Sequence, residues 1–121
     1  ATASGYSGAA TASGYSGAAT ASGNRGAATA SGYSGAATAS GDSGAATASG
    51  NRGAATASGP NSVAIVTGRR SRARGELGCW IVLTERDRDG VILGMKALEV
   101  DGKKVKANTF YTLENGKVVA A

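Results

Sequence analysis

Apolar and polar positions alternate over short stretches along the first half of the chain, and the alternation resets every nine residues. From Ala1 to Gly59 the unit is A-T-A-S-G-x-x-G-A, and only the two residues after the ATASG glycine vary. They are Tyr6-Ser7, Tyr15-Ser16, Asn24-Arg25, Tyr33-Ser34, Asp42-Ser43 and Asn51-Arg52. Within a unit, Ala-Ala-Thr-Ala-Ser has the length of a strand and Gly-x-x-Gly has the composition of a tight corner. The glycines are expected to supply the positive φ angles of that corner. A short fixed period of this kind predicts a solenoid, in which each unit buries its face only against its neighbours.

Side chains alternate across a strand, so Ala10 and Ala12 share one face while Ala9, Thr11 and Ser13 share the other. The last units indicate which face is inside. Arg72 and Arg74 flank Ala73 and must reach water, which places Ala73 inward. Carried back along the repeat, the inner set is Ala10, Ala12, Ala19, Ala21, Ala28, Ala30, Ala37, Ala39, Ala46, Ala48, Ala55, Ala57, Ala64, Val66 and Ala73. Val63 and Ile65 then fall on the outer face, where they are candidate subunit contacts. Tyr6, Tyr15 and Tyr33, at the corners, are candidates for the same role.

An interior of alanine sets the width of the coil. A triangular coil of three strands leaves a void that alanine does not fill, and voids forfeit dispersion contacts. Two strands per coil, 18 residues, is the expectation, with a rise of ~4.8 Å per coil. The variable pairs also recur with a 27-residue super-period, as a three-sided coil or a duplicated segment would give. An alanine methyl contributes ~0.8 kcal/mol on burial, whereas ordering a residue costs ~1–2 kcal/mol. Such an array is marginal alone, which predicts homo-oligomers or filaments. Ala1 opens on the repeat itself, which predicts a shaft that continues upstream.

After Pro60 the pattern changes. Residues 1–77 read as the repetitive shaft, and residues 78–121 read as a small antiparallel β-meander cap. Cys79-Trp80-Ile81-Val82-Leu83-Thr84 is a strand-type run, Arg86-Asp87-Arg88-Asp89-Gly90 a polar loop, and Val91 to Val100 a second apolar stretch. Asp101-Gly102 and Asn115-Gly116 are hairpin signals. The large apolar residues Trp80, Ile92, Leu93, Met95, Leu98, Phe110, Tyr111 and Leu113 concentrate here and would form the core of a cap. The fold class is therefore all-β: a parallel β-roll of nine-residue repeats with a small C-terminal β cap.

Composition mainly excludes. Histidine is absent and Cys79 is the single cysteine, so Ser-His-Asp and Cys-His nucleophiles and the usual zinc sets have no residues to build them. No enzyme, cofactor or metal is expected, and Cys79 reads as a small buried hydrophobe beside Trp80. No apolar run approaches the ~20 residues that span a bilayer, so membrane insertion is not expected. The net charge of +5 is uneven: the repeats carry Arg25 and Arg52 against Asp42, and the rest carries eleven Lys/Arg against seven Asp/Glu.

The segment Asn61-Ser62-Val63-Ala64-Ile65, followed by Gly68-x-x-Ser71-x-Ala73-x-Gly75, resembles the head repeats of YadA-like trimeric autotransporter adhesins. Similar repeats occur in phage tail fibres. The resemblance covers roughly 15 residues closely. It implies a left-handed parallel β-roll and a trimeric rod projected from a cell or virion surface. Val66 stands where that family has glycine, and the nine-residue period upstream is shorter than the family's spacing.

Four further chemistries bear on the surface residues. Arg69, Arg70, Arg72 and Arg74 form the sharpest charge cluster and are a candidate site for an anionic ligand such as lipopolysaccharide or a surface glycan. No aromatic residue interleaves with them, and nucleic acid is not expected. The nonapeptide period invites comparison with calcium-binding rolls, but their aspartates are missing apart from Asp42. The repeated threonines, Thr2 to Thr56, would stand in register on a flat face, as in ice-binding solenoids, although the local pair is Thr-x-Ser. Regular Ser and Thr are also candidate O-glycan acceptors. The leading expectation is an extracellular or surface structural fibre, with a glycan- or anion-binding module second and an ice binder third.

Overall fold

The computed structural model describes residues 2–3 (backbone only), 8–59 and 61–120. Tyr6 and Pro60 lie outside the described residues. The repeat strands are β1 (Thr2–Ala3), β2 (Ala9–Ala12), β3 (Ala18–Ala21), β4 (Ala27–Ala30), β5 (Ala36–Ala39), β6 (Ala45–Ala48) and β7 (Ala54–Ala57). They are followed by β8 (Val63–Val66), β9 (Arg72–Gly75), β10 (Trp80–Arg86), β11 (Ile92–Glu99), β12 (Tyr111–Glu114) and β13 (Lys117–Ala120). The chain is all-β, a solenoid of stacked parallel strands closed by antiparallel strands.

Successive strands go to opposite sheets. One sheet runs β1-β3-β5-β7-β9-β12-β13, and the other runs β2-β4-β6-β8-β10-β11. Each repeat strand pairs in parallel with the strand 18 residues on: Ala9 with Ala27, Ala27 with Ala45 and Ala45 with Val63. On the other side Ala18 pairs with Ala36, Ala36 with Ala54 and Ala54 with Arg72. One coil is therefore two strands and two corners. The 27-residue super-period has no structural counterpart, and Arg25 and Arg52 lie at opposite corners rather than beside one another.

Between the sheets lies a ladder of alanine methyls. Ala10 is 3% exposed, and Ala19, Ala21, Ala28, Ala30, Ala37, Ala39, Ala46, Ala48, Ala55, Ala57, Ala64, Val66 and Ala73 are at 0–1%. Ala12, on β2 at the N-terminal edge of its sheet, is only half-buried. The even spacing follows from β alternation: in β3 to β9 the second and fourth residues point in and the other two point out.

The glycines have a different task from the one their composition suggests. Positive φ falls on the second variable residue instead: Ser16, Arg25, Ser34, Ser43, Arg52, Asn61 and Arg70, all between 56° and 58°. This conformation turns the amide of that residue toward the next coil. Ser16 N donates to Tyr33 O, Arg25 N to Asp42 O, Ser34 N to Asn51 O and Arg52 N to Arg69 O, at 2.8–2.9 Å. The corners thus belong to the hydrogen-bonded ladder along with the strands. Glycine is required by the resulting closeness. A Cβ on Gly32, Gly41, Gly50, Gly59 or Gly68 would lie 2.0–2.2 Å from the carbonyl oxygen one coil below.

Where the unit's second glycine would recur, Ser62 and Ser71 stand instead, buried at 0% and 1%. Ser62 Oγ donates to Gly41 O at 3.0 Å and accepts from Gly44 N at 3.2 Å. Ser71 Oγ donates to Gly50 O at 3.2 Å. Each hydroxyl is satisfied by corner backbone, which is what permits a polar group in this interior.

The boundary drawn at residues 77 and 78 runs through a continuous sheet. β10 stacks in parallel on β8, with Trp80 opposite Val63, Ile81 opposite Ala64 and Val82 opposite Ile65. It then turns back into β11, antiparallel, with a register shift at Glu85 and Arg86. The β12–β13 hairpin turns at Asn115-Gly116, both at positive φ (51° and 77°), and pairs with the solenoid sheet where Tyr111 faces Ala73. Asp101-Gly102 does not make a hairpin. The Asp101 carboxylate accepts from the amides of Lys103, Lys104 and Val105 at 2.8–3.2 Å, which winds the chain into a compact loop and drops Val105 into the core.

The cap core is correspondingly smaller than the sequence suggests. Cys79, Ile81, Leu83, Val100, Val105, Tyr111 and Leu113 fill it. Trp80, Ile92, Leu93 and Met95 are exposed instead, at 45%, 49%, 59% and 54%. Trp80 and Met95 are on the outer face of a sheet whose inner face is the solenoid's own interior.

Candidate functional site

The corner that joins β2 to β3, β4 to β5, β6 to β7 and β8 to β9 carries the most varied side chains. In order along the axis they are Tyr15, Tyr33, Asn51-Arg52 and Arg69-Arg70. Tyr15 and Tyr33, one coil apart, stack on one another with ring centroids 5.1 Å apart and planes 10° from parallel. They therefore pair within the chain, which leaves the outer parts of Tyr15 (76% exposed) and Tyr33 (39%) available to solvent. Above them, Asn51 Oδ1 accepts from the amide of Arg69 at 3.3 Å and holds the top of the corner.

Around this top the chain forms adjoining clefts that share Arg70. The largest, about 530 Å³, lies between the corner at residues 69–72, the end of β10 at 84–86 and β12 at 112–114. Arg69, Arg70, Arg72 and Arg86 line it. A second cleft of about 400 Å³ continues toward Ser34 and Arg52 and is also lined by Arg70 and Arg72. Among the described residues, none of these arginines is ion-paired to a carboxylate.

Three contacts fix the geometry of the larger cleft. Arg72 and Arg74 both place their guanidinium carbons 4.6 Å from the centroid of the Phe110 ring. Arg86 donates to Thr67 O and, at 2.8 Å, to Gly90 O. The Glu85 carboxylate accepts from the amides of Asn115 and Gly116 at 2.6 and 3.0 Å, so its charge is directed at the β12–β13 turn. Thr112 and Ser71 spend their hydroxyls on backbone carbonyls. Thr84 does not: it lines the cleft, is 4% exposed, and its Oγ1 has no hydrogen-bond partner. A buried hydroxyl without a partner carries a desolvation cost of about 1–3 kcal/mol.

The arginine set differs in membership from the cluster in the sequence. Arg69, Arg70 and Arg72 come together in the cleft, whereas Arg74 is not part of its lining and donates through Nε to Thr56 Oγ1 at 3.2 Å. Arg86, Thr84 and Arg52 are brought in from outside the cluster. Coil periodicity could have found Arg52, which sits 18 residues before Arg70. No local signal marks Thr84 or Arg86, since their position depends on β10 stacking over β8.

A second feature lies on the outer face of the other sheet. Its threonine ladder, Thr11, Thr29 and Thr47, ends at Ile65, which pairs onward with Val82. The neighbouring row runs Ala45, Val63, Trp80, and β11 adds Ala97 opposite Val82 and Met95 opposite Thr84. Val63, Ile65 and Val82 are half-buried there. The remaining threonines, Thr20, Thr38 and Thr56, form a separate ladder on the opposite face, which ends at Arg74. The repeated hydroxyls are thus divided between two faces.

Among the described residues no group of three or more His, Cys, Asp or Glu is placed to hold a metal ion, and no helix is long and apolar enough to cross a membrane. No family model, curated protein or solved structure matches the chain.

Proposed function

We propose that the chain is a structural rod of an extracellular, cell-surface or virion fibre, which assembles with further copies of itself. The observation that carries this reading is the change of the outer face at the C-terminal end, from Ala, Thr and Ser to Val63, Ile65, Trp80, Val82, Met95 and Ala97. These residues form one largely apolar surface on continuous strands, with the exposed Glu99 opposite Trp80 at its edge. Monomeric soluble proteins seldom leave a contiguous apolar area larger than a few hundred Å² uncovered. A second copy of this chain suits it because the surface is largely apolar, and because β11 beside it is a long edge strand with an unpaired side.

The rest of the molecule supports a mechanical role. Ladders run through strands and corners alike, so each coil is tied to the next around most of its circumference. Stacked units of this kind give stiffness along one axis and allow length to be set by repeat number.

Light scattering with negative-stain electron microscopy tests the reading. Wild-type protein is expected as a homo-oligomer or as rods of uniform width, and Ile65→Lys with Trp80→Lys is expected to give monomers with an unchanged β circular-dichroism spectrum. A wild-type chain that remains monomeric at its highest soluble concentration overturns it.

A further inference from the structure

The arginine clefts lie at a corner, and their chemistry differs from that of the apolar face. We propose that the strip from Arg52 through Arg70 to Arg86 binds an acidic polysaccharide, with the oxyanion of a uronate or sulfated sugar seated in the cleft that Thr84 lines. The argument starts from the two clefts joined at Arg70 and Arg72. A pair of adjoining depressions, with arginine at both ends and between them, fits a linear chain that bears regularly spaced negative groups. A single small anion would occupy only one.

The donors are set for an oxyanion. Arg69 and Arg70 leave the top of the corner side by side, and Arg70 is held at positive φ by the same corner geometry that orders the coils below. Phe110 holds Arg72 in place through its ring face, and the carbonyls of Thr67 and Gly90 hold Arg86. Guanidinium groups positioned in this way bind carboxylate or sulfate in forked geometry without first losing much side-chain freedom. Thr84 lines the β10 side of the cleft, but its hydroxyl is buried away from it, so the arginines are the donors that a ligand meets.

The lining also separates a saccharide from a nucleic acid. Glu114 lies at the cleft beside the arginines, exposed, and its carboxylate makes no hydrogen bond among the described residues. A carboxylate there accepts hydrogen bonds from sugar hydroxyls and repels a phosphate backbone. Single-stranded nucleic acids are held through base stacking on aromatic faces beside the basic groove. Here Phe110 is engaged by two arginines, and Tyr15 and Tyr33 cover one face of each other.

The test is isothermal calorimetry on the full chain with four probes: oligogalacturonate, a heparin-derived oligosaccharide, neutral dextran, and a single-stranded oligonucleotide of matched charge. At least one acidic saccharide is expected to bind, more tightly than the oligonucleotide, while dextran gives no heat. The two acidic probes distinguish carboxylate from sulfate as the preferred group. Arg70→Ala is expected to weaken binding by about tenfold or more, as loss of a charge-assisted hydrogen bond does. Arg25→Ala, at the opposite corner of the solenoid, is expected to bind as wild type. The proposal is overturned by absence of binding to both acidic saccharides, by equal or tighter binding of the oligonucleotide, or by an Arg70→Ala variant that binds as wild type. Oligomer state, read on the same samples, reports separately on the assembly reading.

Discussion

The thiol of Cys79 donates to the carbonyl oxygen of Gly59 at 3.0 Å. This contact continues a series. Ser62 donates to Gly41 and Ser71 to Gly50, and Gly59 is the next corner glycine in the same nine-residue progression. Cys79 is thus a substitute for serine at the last turn of the solenoid, buried at 0% exposure. Cys79→Ser is expected to preserve stability, and Cys79→Ala is expected to cost about 1 kcal/mol in denaturant unfolding. The native thiol should react with an aromatic disulfide reagent only as fast as the protein unfolds. Rapid labelling under native conditions would contradict the placement.

Gly50 and Gly14 occupy the same position of the repeat but stand in different surroundings. A Cβ on Gly50 would sit 2.2 Å from Gly32 O, whereas one on Gly14 meets nothing within 4 Å. Neither residue is at positive φ, so the difference isolates coil-to-coil packing from backbone freedom. Gly50→Ala is expected to destabilise the chain by about 1–3 kcal/mol, in the range of overpacked cores, and Gly14→Ala to be neutral or stabilising by up to about 1 kcal/mol. Thermal melts of the two variants decide it. Equal melting temperatures would show that the coils part more easily than their hydrogen bonds suggest.

These two cases show what the sequence disclosed and what it withheld. The nine-residue period, the inward alanines and the two-strand coil follow from local alternation and from the size of a methyl group, both of which a single strand carries. The role of glycine did not follow, because composition marks where a residue must be small without saying whether a turn or a neighbouring coil demands it. Asp101-Gly102 failed as a hairpin signal for a related reason. Its carboxylate captures three amides in turn, and that local trap outweighs strand pairing. The cleft was legible only in part. Arg69, Arg70 and Arg72 stand together in the chain, but Thr84 and Arg86 reach them through the stacking of β10, a long-range register that no local pattern encodes.

Phe110 holds two guanidinium groups at one ring. Arg72 and Arg74 each lie 4.6 Å from its centroid, and both are cations on the same short strand. Without the ring their mutual repulsion is uncompensated. Phe110→Leu is expected to lower stability by about 1–2 kcal/mol, from two cation–π contacts at about 0.5–1 kcal/mol each. Added salt should narrow the gap to wild type, because screening weakens the repulsion that the leucine leaves exposed. A variant that melts with wild type at low salt would remove Phe110 from this role.

Asp101 is the group through which acid should act on the cap. Its carboxyl titrates below the ordinary value of 3.8, chiefly because the Lys103 amide and then the Val105 amide donate to the ionised form. A folded-state value that is depressed means stability present above the unfolded value and lost as pH falls through the folded one. The loss belongs below 3.8, in the window between the two values. Asp101→Asn keeps an acceptor oxygen at the same place but does not titrate. At neutral pH the wild type is therefore expected to be the more stable, because its three bonds are charge-assisted. As pH falls below 3.8 the wild type should converge on the variant, since a protonated carboxyl and an amide accept comparably. Denaturant midpoints for both proteins across this range provide the check, and a gap that stays constant would mean that the ionised carboxylate does not organise the loop.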